Sequence, residues 1–166
     1  MKDKVPYFLT IVLTFAAVGQ IILSFVLYDI EGNLVLRNAG WGVFTLSAIF
    51  GWFPIFTFRK RGGVKGRGYI HTTVLVDSGI YSIVRHPQYL AGVLINIALF
   101  MIAQHWLVAI FGIAAAVIYY FDTFGEEKKN LEKFGEDYRR YMKAVPRMNF
   151  ILGIVRLIQR KKGGRQ

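Results

Sequence analysis

Tyr89-Leu-Ala-Gly-Val-Leu-Ile-Asn-Ile-Ala-Leu-Phe-Met-Ile-Ala-Gln-His-Trp-Leu-Val-Ala-Ile-Phe-Gly-Ile-Ala-Ala-Ala-Val-Ile-Tyr-Tyr-Phe121 contains no charged residue. As one helix, at roughly 1.5 Å per residue, it would extend about 50 Å, well beyond the roughly 30 Å of a bilayer core. It therefore reads as a helical hairpin turning near Ala103, Gln104 and His105. Each arm would measure about 22–25 Å, so the pair is tilted little or does not fully cross. Two earlier runs, Val5 to Tyr28 and Asn38 to Phe58, are also free of charge and long enough to span as helices. Hydrophobic residues make up 54% of the 166 and mean hydropathy is +0.40, so apolar surface must face lipid. The expectation is an all-α integral membrane protein, one membrane domain with about four transmembrane helices. The first span covers 5–28, the second 38–58 and the short hairpin 87–121. A cytoplasmic loop (59–86) and a cytoplasmic helical segment (122–148) form a cap, followed by an interfacial amphipathic helix and basic tail (149–166).

The formal charge of +11 would suggest nucleic acid in a soluble protein, but its placement argues otherwise. Asp29, Glu31 and Arg37 leave the first connection slightly acidic, whereas Arg59, Lys60, Arg61, Lys65, Arg67 and Arg85 face only Asp77 in the second. Residues 122–166 carry twelve Lys/Arg against six Asp/Glu. The positive-inside rule puts both termini, the 59–87 loop and the tail in the cytoplasm of a multi-pass protein. The basic residues then meet anionic lipid headgroups, not nucleic acid. The first apolar run is too long for a cleavable signal and lacks a small-residue cleavage site. With no cysteine there is no disulfide, zinc-thiolate site or thiol nucleophile, and no metal site is expected. Gly19, Gln20 and Ser24 suit a helix-packing face. Arg59 to Gly68 matches neither the P-loop nor the dinucleotide fingerprint and reads as a flexible headgroup-binding hinge. Tyr69 to Tyr81 is too polar to cross and too apolar for a solvated linker, as a packed cap would be; His71 alone is weak evidence of function.

Ionisable side chains crowd against the membrane run between Gly79 and Tyr89. Proline fixes its own φ and disfavours the helical region for the residue before it, so His86 should precede a helix whose first turn begins at Pro87. The unpaired N–H groups and positive dipole of that start suit a polar ligand, although Arg85-His86-Pro87 could equally be an interfacial anchor with no chemistry. If the last hydrophobic arm continues as a helix, Asp122 and Glu126 share a face. A hairpin returns its end to its beginning, which brings Glu126 near His86. Leu131, Phe134, Tyr138 and Tyr141 recur at helical spacing as a packing stripe, with Gly135 breaking the run into two short helices.

Gly79-Ile-Tyr81 and Arg85-His86-Pro87-Gln88-Tyr89, followed beyond the hairpin by Glu126-Glu127, Leu131, Gly135, Tyr138, Tyr141 and Val145-Pro146, resemble the isoprenylcysteine carboxyl methyltransferases and their phospholipid-methyltransferase-like relatives over residues 70–150. The resemblance implies a membrane enzyme that binds S-adenosyl-L-methionine on the cytoplasmic side and methylates a lipophilic acceptor entering from the bilayer. Carried over by position, the cofactor would contact Leu75, Val76, Tyr81, His86, Pro87, Gln88 and Tyr89, with Glu126 matching the family's cofactor-binding acid. Enzymes acting on the prenylcysteine carboxylate usually carry an arginine four residues before that glutamate, where this chain has Asp122. An acid cannot pair with a carboxylate at neutral pH without a raised pKa. The acceptor therefore stays open among isoprenylcysteine or another lipophilic carboxylate, an amine, a thiol and a hydroxyl.

Methyl transfer from a sulfonium is an in-line displacement that needs alignment more than covalent help from the protein. Tyr81, Tyr89 and Glu126 offer the aromatic faces and the carboxylate that favour a cation. His86 is the natural hydrogen-bonding partner, and Asp122 or Glu127 are the candidate catalytic bases where the acceptor must lose a proton. A small transporter subunit is disfavoured because no span carries an acid or base within it. A non-catalytic membrane anchor or assembly protein with the same fold is the stronger alternative.

Overall fold

The computed structural model describes residues 5–62 and 73–163; the glycine-rich hinge from position 63 onward, His71 and the end of the basic tail lie outside the described residues. The described chain forms five α-helices: α1 (Val5–Val26), α2 (Leu34–Arg61), α3 (Pro87–Ala103), α4 (Trp106–Ala144) and α5 (Phe150–Gly163), with a 3₁₀ turn at Gly79–Ser82 before α3. No strand occurs among the described residues. By length and composition, α2 and α4 could cross a membrane, whereas Thr10–Val26 and Pro87–Ala103 are shorter apolar helices. The apolar part of α4 ends at Phe121, and charge begins at Asp122. Phe15, Phe25, Val35 and Trp52 are among many large apolar side chains left exposed, far more than a water-facing surface tolerates.

The chain divides into two compact units, the first comprising Met1–Ala48 and Ala91–Asp122. Its helices are joined by small residues and buried amides, the usual substitute for hydrophobic driving force where the surroundings are themselves apolar. Gln20 is fully buried and donates from Nε2 to the carbonyls of Asn96 (2.9 Å) and Val108 (3.2 Å). Ser47 donates to the Ala91 carbonyl at 2.8 Å. Gly19 lies against the Phe111 ring, and Gly40 against Met101 and Ile102, so closely that a Cβ would press on them.

α2 is longer at both ends than the uncharged run 38–58. Asn33 caps it by accepting the Leu36 N–H on Oδ1 at 3.0 Å, which places Arg37 inside the first turn. The Arg37 guanidinium folds back onto the carbonyls of Asp29 and Ile30 and over the Tyr28 ring. A charge therefore lies inside the helix without entering its apolar length. In the α3–α4 turn, Gln104 takes a positive φ of 56° and its amide pairs with both backbone groups of Asn33 at 2.8 Å.

The second unit comprises Ile49–Leu90 and Thr123–Gln166. The described connection from α2 to α3 packs on α2: Tyr81 stacks on Phe58 with ring centroids 4.7 Å apart, and Gly79 takes a φ of 65° that favours glycine, where a Cβ would come tightly against Thr57. α4 runs on past the apolar length as a charged segment and kinks at Gly135, whose φ of 55° and ψ of −127° suit glycine alone. Of the stripe on this segment, Tyr138 and Tyr141 are buried, and Leu131 and Phe134 are half-buried. α5 is capped by Asn149, which accepts the Leu152 N–H at 3.0 Å. Its Gly153 crosses the backbone so tightly that a Cβ there would overlap the Ile83 carbonyl.

Candidate functional site

The residues that bear chemistry meet within the second unit. Pro87 opens α3, and the His86 carbonyl accepts the Leu90 N–H at 3.0 Å, which makes His86 the N-cap. The segment before it is fixed by backbone pairing with the chain beyond α4: Arg85 N–H donates to the Pro146 carbonyl and His86 N–H to the Arg147 carbonyl, both at 3.1 Å. Arg85 Nη1 also donates to the carbonyls of Met142 (2.7 Å) and Val145 (2.6 Å), acceptors left open where α4 ends. Tyr141 adds a third tie, from its hydroxyl to the Tyr81 carbonyl at 2.7 Å.

Glu127 lies at the centre of these contacts. Arg85 donates to its Oε1 from Nε (3.0 Å) and Nη2 (2.6 Å). Arg147 makes a two-pronged contact from the other side, Nε to Oε1 at 3.1 Å and Nη2 to Oε2 at 2.6 Å, while stacking 3.7 Å over the Phe124 ring. His86 Nε2 is 3.2 Å from the same Oε1. The Glu127 side chain is only 5% exposed. Burial alone would raise its pKa, but the bonds from His86, Arg147 and Arg85 overcome this and hold it down at about 2. A carboxylate so far below neutrality has little appetite for a proton. Glu127, expected among the candidate bases, is held between Arg85, His86 and Arg147 and binds the three together.

Glu126, one residue earlier and about 100° around the helix, is placed differently. Its side chain is 45% exposed, and its Oε2 lies 3.7 Å from His86 Nδ1. Burial raises its pKa, but His86, Tyr89 and Lys129 outweigh that and the net shift is downward. His86, 3% exposed, thus has an acid on each side. Burial, the largest single influence, disfavours its charge, yet the bonds and charges of Glu126 and Glu127 together raise its pKa. Protonated, it donates from Nε2 to Glu127 and places its charge 3.7 Å from the half-exposed Glu126 carboxylate. The Tyr89 ring meets the His86 ring edge-on at 5.7 Å.

Of the residues singled out in the sequence, His86, Tyr89, Glu126 and Glu127 gather around one imidazole. Tyr81 and Val76 are buried, Leu75 is half-buried, Pro87 is buried at the start of α3, and Gln88 is exposed. Burial pushes the hydroxyl pKa of Tyr81 upward, so it stays protonated. Asp122 is half-buried and is the last residue of the first unit. Arg147 and the carbonyl-binding role of Arg85 escaped the sequence reading. The available signal was Glu127 itself, since a second acid beside Glu126 on a helix entering a packed unit needs countercharges.

Apolar helices of spanning length that give way to charged residues beyond their hydrophobic part fit a helical membrane protein. Residues 68–133 match the Isoprenylcysteine carboxyl methyltransferase (ICMT) family, a family of membrane methyltransferases. The matched stretch holds His86, Tyr89, Glu126 and Glu127 and stops short of Arg147. No curated protein and no solved structure matches the chain.

Proposed function

We propose that this protein uses S-adenosylmethionine to methylate a lipophilic acceptor at the cytoplasmic face of a membrane. In this reading it crosses the bilayer four times with both termini in the cytoplasm, and residues 59–86 and 122–148 form the cofactor-binding cap. The observation that carries the reading is the pairing of buried His86 with half-exposed Glu126 inside the family-matched stretch.

The donor set fits the cofactor. S-adenosylmethionine presents a sulfonium, an ammonium and ribose hydroxyls, all of which suit an ionised carboxylate that reaches solvent. When bound, it supplies an electrophilic methyl group for in-line displacement. Glu126 accepts hydrogen bonds from the ligand, His86 orients that carboxylate, and Tyr89 contributes an aromatic edge. Leu75, Val76, Tyr81, Pro87 and Gln88 complete the cofactor contacts carried over from the family. Asp122 stands where prenylcysteine enzymes have arginine, which favours an amine, thiol or hydroxyl acceptor over a carboxylate and leaves Asp122 as the candidate proton acceptor.

Titration calorimetry of the protein in bilayer discs with S-adenosylmethionine and S-adenosylhomocysteine tests this. Saturable binding weakened at least about tenfold, roughly 1.4 kcal/mol, by His86→Ala and by Glu126→Gln supports the site. Absence of binding by folded protein favours the non-catalytic anchor instead.

A further inference from the structure

α5 has two unlike faces and an unlike end. Toward its own unit, Gly153 is buried against Ile83, and the Phe150 ring lies 5.7 Å from the Phe50 ring of α2. On the other side, Ile151 (65% exposed), Ile154, Val155 and Ile158 form a bare stripe at the three- and four-residue spacing of one helix face. The last turn is basic, with Arg160, Lys161 and Lys162, and Phe150–Gly163 contains no acid. Arg160 is held in place, since its Nη2 donates to the Ser82 carbonyl at 2.7 Å. α2, in the same unit, also passes from exposed apolar residues (Trp52, Phe53, Phe56) to an exposed basic turn of Arg59, Lys60 and Arg61.

We infer that α5 is a binding surface for anionic phospholipid. The stripe from Ile151 to Ile158 enters the acyl layer, and Arg160, Lys161 and Lys162 take the headgroup phosphates and their net negative charge. Two features favour a lipid surface over a protein partner. The apolar stripe runs into the basic turn along the helix axis, as hydrocarbon gives way to headgroup along a membrane normal. The same succession recurs on α2. Each cation near an anionic surface adds to the attraction, so a turn carrying three distinguishes anionic from zwitterionic lipid. The inference requires only membrane placement and not methyl transfer.

The absence of cysteine allows a clean test. Gln159→Cys, at an exposed position beside the basic turn, is labelled with bimane, and the full chain is placed in phosphatidylcholine discs. Trace lipid bearing a headgroup nitroxide is added as either phosphatidylglycerol or phosphatidylcholine. The expected result is quenching by the anionic lipid at least about twofold stronger than by the zwitterionic one, falling toward parity at about 0.5 M salt. Adding Lys161→Gln and Lys162→Gln should reduce the difference by about half or more, with helical circular dichroism unchanged. Equal quenching by the two lipids, a difference insensitive to salt, or one that survives loss of both lysines would overturn the inference. Quenching by neither lipid would show that α5 faces a protein or water instead, and would overturn it too.

Discussion

Replacing Glu127 with glutamine keeps the shape of the side chain and removes one charge from between Arg85, Arg147 and His86. Two routes give the size of the effect. The carboxyl is held from an ordinary 4.5 down to about 2, which at roughly 1.4 kcal/mol per pH unit corresponds to about 3 kcal/mol. Breaking a buried ion pair from one side typically costs about 3–5 kcal/mol, because the partner charges stay buried. Glutamine still accepts a hydrogen bond, and Arg85 keeps the Met142 and Val145 carbonyls, so the lower figure applies. At roughly 2–4 °C per kcal/mol, Glu127→Gln should lower Tm by about 6–12 °C near pH 7. Intrinsic fluorescence of the three tryptophans during a thermal ramp in detergent reports it. The folded pKa lies below the unfolded one, so the wild-type advantage is complete above about pH 4.5 and disappears as pH falls toward 2. The two melting curves should therefore converge in acid. A Tm within about 1 °C of wild type at pH 7, or a gap that persists undiminished in acid, would refute the account of Glu127 as the buried centre of the cluster.

Glu126→Gln, at a side chain 45% exposed, should change Tm by less than about 3 °C while lowering the titration midpoint of the His86 imidazole, followed by nitrogen NMR; an unmoved midpoint would separate the two residues. In wild type that midpoint should lie above 6.5, so the stability it confers is complete below pH 6.5 and is lost as pH rises through it. Gly153→Ala forces a methyl against the Ile83 carbonyl and should destabilise by roughly 1–3 kcal/mol in chemical unfolding, whereas Gly163→Ala, in open space, should be neutral. Tyr141→Phe removes the bond to the Tyr81 carbonyl and should cost about 1–2 kcal/mol in the same assay. Asp122→Arg should reduce methyl transfer to the native acceptor in a radiolabel assay; faster turnover of a neutral or cationic acceptor would argue against its role.

The meeting of His86 and Glu126 could be read from the chain because it follows from connectivity. A run too long for one span must turn back, and a hairpin brings its two open ends together. The Glu127 cluster could not be read the same way. Glu126 and Glu127 are neighbours in sequence but point about 100° apart, and only the helix's rotation against its neighbours decides which one faces the core. Arg147 was hidden for a related reason, since its role depends on how the chain doubles back after Pro146. The start of α2 lies outside the uncharged run because hydropathy stops at a charge, whereas the helix stops at its cap: Asn33 sets the boundary, and Arg37 is accommodated by the carbonyls behind it.

The pairing of Arg85 and His86 with Pro146 and Arg147 imposes an order on synthesis. Arg85 leaves the ribosome ahead of its carbonyl partner at Val145 by a sequence separation of 60. In that interval α3 and the apolar length of α4 are made while the Arg85 guanidinium and the His86 imidazole wait without their final partners. Loop closure over such a distance is slow compared with forming a hairpin. The lipid-embedded part of the molecule can thus be complete while the segment around His86 is still unformed. A chain stalled or cleaved before Pro146 would be inserted in the membrane yet without a folded site, open to proteases that recognise an unfinished product.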